Sequence, residues 1–234
     1  MSSATAWHAT AAPALKRLAA SAGPTGVILG RDHSGALAPV RLLRAEPTRV
    51  AVVGGPWLAH LLVFRCLAVG AFAGITTTSP GRWTRLAELA GAAARVRVTA
   101  VAGAGPPPSD EPPVARGSLQ PVLLVTDTGV GGASVERSTL PAWHTQVTVL
   151  PTLTAANSVS VSDAHVVLLQ RLRPEEASIC VAALRLLAVT EQRLQQLHDE
   201  MLAVVISGVE RYLWFATTSV EDEILGPPHR DAAS

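Results

Sequence analysis

The residues best placed to do chemistry lie in Arg49–Thr78, RVAVVGGPWLAHLLVFRCLAVGAFAGITTT. A β-branched apolar run, Val50–Val53, breaks at Gly54-Gly55. A helix-forming stretch follows, and then a second strand-like run, Ala73–Thr78. A glycine turn between a strand and a helix is where backbone N–H groups at a helix start can hold a phosphate. The template for that task is G-x-x-x-x-G-K-[ST]. With Gly54 as its first glycine, Ala59 takes the place of the second, His60 that of the lysine and Leu61 that of the hydroxyl. The lysine of such a loop contacts the outer phosphates and the hydroxyl holds Mg²⁺. His60 is shorter and mostly neutral near pH 7, and Leu61 cannot coordinate a metal. Pro56 removes one backbone N–H from the turn, and Trp57 and Leu58 add bulk to it. The scaffold of a nucleotide turn is present while its chemistry is gone, so neither ATP nor Mg²⁺ is expected as a cofactor.

Other candidates are weaker. PVLLVTD, Pro121–Asp127, ends an apolar run in a carboxylate. Asp127 reads either as a Mg²⁺ ligand or as a strand-end cap of the next turn, and Thr128 stands where an acid would polarise water. The Gly54-Gly55 pair reads either as a plain strand-to-helix turn or as the opening of a dinucleotide site. The latter calls for an acid near the end of the second strand, but Thr76-Thr77-Thr78-Ser79 stands there. The seven histidines show no metal-ligand spacing, and no serine sits in G-x-S-x-G. Neither a metal site nor a nucleophilic hydrolase is expected. Cys66 and Cys180 read as buried free thiols rather than a disulfide. Trp57, Trp83, Trp143 and Trp214 read as core or interface anchors.

These residues need elements to position them. Residues 26–43 read as a β-hairpin around the polar turn RDHSG, and the central strand–helix–strand segment follows. Trp83–Ala94 has helical spacing, and Arg95–Ala102 alternates like a strand. Pro121–Asp127 reads as a strand buried on both faces. Gln146–Leu150 and Ala164–Leu169 read as further strands. A helix is predicted from Pro174 to about Val189, with Thr190 capping another, and two closing strands lie around Gly208. The order predicts an α/β domain with a mostly parallel sheet flanked by helices and antiparallel strands at its edges. Residues 1–22 read as a flexible or helical segment, 23–226 as the domain, 103–119 as a Pro-rich loop and 227–234 as a loose tail.

Composition excludes several classes. The chain has 234 residues, 48% hydrophobic and 16% charged, with a net charge of +1. No basic excess marks a nucleic-acid partner. The most apolar stretch is interrupted by Arg65 and a turn, so no membrane span is expected, and a cytoplasmic location is the default.

The order of elements resembles the RecA-like P-loop motor domains of the FtsK/SpoIIIE family, particularly those driving actinobacterial type VII secretion. The resemblance rests on Leu29-Gly30-Arg31-Asp32 and Gly35 before the glycine-turn strand, on Arg65 and Leu67 in the helix after it, and on Val122–Asp127 as a Walker B-like strand. It also rests on Arg211–Gly226, with Thr-Thr, acid, then Ile-Leu-Gly, as the closing strand and helix. The resemblance implies a catalytically inactive member, a pseudo-ATPase acting as an interaction module beside a motor or secretion component, or with itself. It would be cytoplasmic, or peripheral to a membrane-bound secretion complex. It points to Arg171 and Arg173 as candidate interface residues. The alternative is a stand-alone small-molecule-binding or enzymatic domain, with a pocket near Gly54, Asp127 and Gly129.

Overall fold

The computed structural model describes residues 26–101, 117, 120–129 and 140–230. The predicted helix within residues 1–22, most of the Pro-rich loop and the glycine-rich segment beyond Gly129 lie outside them. A single ten-stranded sheet runs through the domain in the order β2-β1-β10-β9-β8-β3-β7-β6-β4-β5. The strands are β1 (Val27–Arg31), β2 (Leu37–Val40), β3 (Thr48–Val53), β4 (Phe72–Thr77), β5 (Val96–Ala100), β6 (Val122–Asp127), β7 (His144–Leu150), β8 (Val166–Leu169), β9 (Met201–Ile206) and β10 (Val209–Phe215). The helices are α1 (Pro56–Ala68), α2 (Pro80–Leu89), α3 (Ser158–Ser162), α4 (Pro174–Leu184), α5 (Ala188–Gln195) and α6 (Ser219–Leu225).

From β8 to β5 every neighbouring pair is parallel. Strands β9, β10, β1 and β2 continue the sheet antiparallel on the β8 side. This is an α/β architecture with a mostly parallel sheet, its antiparallel strands gathered on one edge rather than both. The hairpin β1–β2 turns on Asp32, whose Oδ1 accepts the N–H groups of Ser34 and Ala36 at 2.9 and 3.1 Å. At Ser207-Gly208 both residues have positive φ, 51° and 77°, as a two-residue hairpin turn requires.

Alternation along β3 divides the core. Val50 and Val52 pack with α1, Trp83 and Leu123 on one face, while Ala51 and Val53 pack with Leu153, Ala177, Cys180 and Leu194 on the other. A strand buried on both faces is apolar at every position, which is why β3, β6 and β8 stand out in the sequence.

Strands β3 and β4 lie in one sheet but are separated by β7 and β6, because the crossover through α1 passes over two strands inserted from later in the chain. The structure corrects three expectations. The helix from Pro174 stops at Leu184, where Arg185 adopts a left-handed conformation (φ 53°) and the Leu186 N–H closes on Val181 O at 3.0 Å. Thr190 does not cap the next helix, which has Leu187 at its N-cap. It is buried inside the first turn, where its hydroxyl donates to Glu210. Residues 227–230, expected to be loose, are tied down as far as Arg230.

Candidate functional site

The C-terminal ends of β3, β8, β7, β6 and β4 form one edge of the parallel sheet, and ligands of open α/β sheets bind outside such an edge. Gly54 follows β3, and Gly55 is the N-cap of α1 with no side-chain cap of its own. Pro56 is the first helical residue, as suits a ring that fixes φ and lacks an N–H. Pro56, Trp57 and Leu58, which lie between the template's two glycine positions and should help to wrap a phosphate, are therefore already coiled into helix. The turn is reduced to Gly54-Gly55.

Its donors are used internally. Gly54 N–H donates to Leu150 O at 3.1 Å, continuing the β3–β7 ladder. Gly55 N–H donates to Oε1 of Gln170 at 2.8 Å. Gln170, the residue after β8, is buried and lies against the turn so closely that a Cβ on Gly54 would stand 2.4 Å from its Oε1. Gly54 is thus required by space. Its φ does not fall in the left-handed range.

Ala59 and Leu61 face the core and are fully buried. His60 lies edge-on to Trp83, with ring centroids 4.4 Å apart. Its Nε2 is buried and has no hydrogen-bond partner among the described residues. Burial pushes its pKa down to about 4, against the pull of Asp127 and with a further push from Arg82. The ring is neutral at pH 7, so no cation occupies the lysine position.

Asp127 ends β6 next to Thr77 at the end of β4. Its Oδ2 accepts from Trp83 Nε1 at 2.8 Å and from the Thr77 hydroxyl at 3.2 Å. The Thr77 oxygen in turn accepts the Ser79 N–H that opens α2. Asp127 therefore pins the start of α2 through Thr77 and Trp83. Thr128 follows it, half-buried, and Gly129 (φ 73°) lies beside the Thr78 hydroxyl.

Across the edge, Gln170 also donates through Nε2 to His229 O at 3.0 Å. Trp57 Nε1 donates to Gly226 O at 3.0 Å. The segment Gly226–Arg230 thus crosses the glycine turn. Arg171 and Arg173 are half-exposed, Arg171 pairing with Asp199 at 2.9 Å and Arg173 with Glu176 at 3.4 Å.

Gln170 and Arg230 were missed by the reading of the sequence. Gln170 carried a signal, a polar side chain closing the all-apolar run VVLL, but Arg230 in a Pro-rich tail carried none. Among the described residues no group of histidine, cysteine and carboxylate side chains could hold a metal. No helix there is long and apolar enough to cross a membrane.

No protein-family model matches the chain. No curated protein matches it either. Among solved structures it is similar to the genome packaging NTPase B204 of Sulfolobus turreted icosahedral virus 2, solved in complex with AMPPCP. The TM-score is 0.49 at 9% identity, covering 73% of this chain and 98% of that one.

Proposed function

We propose that the chain is a catalytically silent P-loop-type domain, a pseudo-ATPase that works as an interaction or accessory module of a type VII-like secretion or translocation system. The observation that carries the silent half of this reading is the Gly55 N–H, donated to the Gln170 side chain in a turn shortened by the early start of α1. A phosphate entering there would have to displace a buried side-chain amide, and it would find a neutral imidazole in place of a lysine. The secretion half rests on the sequence resemblance.

Three measurements test it. Phosphate release with Mg-ATP is expected to stay at the no-protein background, and calorimetric titration is expected to give no submicromolar binding. Release that Asp127→Ala abolishes would overturn the reading. Co-purification of the tagged protein from its native cell is expected to bring down a motor or secretion component, and recovery of a lone monomer would count against the module role. The stand-alone reading called for a pocket near Gly54, Asp127 and Gly129. A cavity of about 310 Å³ lies at the opposite end of β8, lined in part by Ser162, Leu184 and Ser207.

A further inference from the structure

Beyond the glycine turn, the sheet edge carries a buried ion pair made with the segment that follows α6. Glu176, 1% exposed, presents its carboxylate beside the ends of β7 and β8. Arg230 reaches it at 2.7 Å, with side chains only 14% and 2% exposed. The same guanidinium donates to Pro151 O at 3.0 Å and to Arg171 O. One residue earlier, His229 presents its carbonyl to Gln170 Nε2 at 3.0 Å. A carboxylate and two carbonyls surround one guanidinium, and an amide reads the preceding peptide group. Such a set accepts a cation.

We infer that the edge of the sheet where a nucleotide's phosphates would sit has become a receptor for an arginine-bearing extended peptide, filled in cis by Gly226–Arg230 and open to an equivalent segment in trans. This rests on the reading that the crevice holds no nucleotide, and it gives that interaction module a ligand class. A tethered segment holds such a site at a high effective concentration, so a competing segment gains entry only when the tail's arginine is released.

The test uses the full chain carrying Arg230→Ala, its folding checked by circular dichroism. The probe is a fluorescein-labelled, C-terminally amidated peptide of residues 226–230, followed by anisotropy. Saturable binding is expected to the variant, with binding to the unsubstituted chain at least about tenfold weaker because the tail competes. The same peptide with Arg230→Ala is expected to bind about 30-fold more weakly or worse, as for truncation of one partner of a buried charge pair. If Arg230→Ala does not fold, Arg230→Lys keeps a cation but loses the fork, and the same peptides decide. No saturable binding at millimolar peptide, or equal binding of the two peptides, overturns the inference. Mg-ATP is titrated into the same variant. Saturable binding there overturns the non-nucleotide reading and this inference with it, whereas failure of the peptide without ATP binding overturns the inference alone.

Discussion

At the scale of single residues, the side chain at the lysine position behaves as part of the core. His60 lies edge-on to Trp83, its buried Nε2 without a partner among the described residues and its pKa pushed down to about 4. In the unfolded chain it titrates near 6.5. Between those values the unfolded state binds the proton and the folded state does not, so stability is full above pH 6.5 and falls as the pH drops toward 4. The loss is on the order of 3 kcal/mol. His60→Leu is expected to be close to neutral at pH 7, since it removes an unsatisfied polar atom, and to flatten the decline. Urea midpoints of both chains from pH 7.5 to 4.5 check this, and parallel curves would remove His60 as the cause.

Gly54 and Gln170 form the second residue-scale case. Gly54→Ala is expected to cost about 1–3 kcal/mol by crowding the Gln170 amide. Gln170→Ala is expected to cost about 1–3 kcal/mol by orphaning the Gly55 N–H. Because a Cβ on Gly54 would meet Gln170 itself at 2.4 Å, the alanine should be better tolerated once the glutamine is gone. The double-mutant cycle should therefore show coupling of about 0.5 kcal/mol or more. Strict additivity would mean the two do not share that space.

Among elements, a buried ion pair ties α1 to α6. Arg65 of α1 makes a two-pronged pair with Glu221, at 2.6 and 2.9 Å, with side chains 10% and 5% exposed. The guanidinium also donates to Ile28 O on β1 and to Ala216 O after β10. Glu221 completes a capping box with Thr218. One buried arginine thus joins the helix after the glycine turn, the N-terminal hairpin and the closing helix. Removing either partner strands the other charge, so Arg65→Met or Glu221→Ala is expected to cost about 3–5 kcal/mol. Replacing both with well-packed apolar residues should cost less. Burial raises the Glu221 carboxyl, but the Arg65 and Thr218 hydrogen bonds outweigh it and hold the group below its ordinary 4.5. Its contribution is present above that value and lost as the pH falls through the lower folded value. Glu221→Ala should therefore lose part of the acid limb of the stability curve, read by thermal melting from pH 6 to 3.

For the whole molecule, two thiols on opposite faces of the sheet report the integrity of both cores. Cys66 and Cys180 are free and fully buried, and burial pushes each pKa up to about 12. Each belongs to a different side of β3. Maleimide labelling counted by mass spectrometry is expected to be negligible in native buffer and to rise for both residues together through the urea transition. Labelling of Cys180 well before Cys66 would show that the α4–α5 layer opens independently.

The sequence by itself determined the elements and their class. Apolar runs such as Val50–Val53 and Val166–Leu169 report burial on both faces, and the turn residues between them report where the chain reverses. The departure of His60, Leu61 and Thr128 from the phosphate-binding template was also legible, because a template of fixed spacing can be checked residue by residue. The order of strands was not, since nothing local in β6 and β7 says that they insert between β3 and β4. Nor was the occupant of the glycine turn. Gln170 reaches Gly55 across 115 positions, Trp83 reaches Asp127 across 44, and Arg65 reaches Glu221 across 156. Periodicity encodes which face of an element is buried, whereas a polar pair across elements leaves no spacing to read. Only the tertiary structure, which must satisfy every buried donor and charge, decided which of those side chains met.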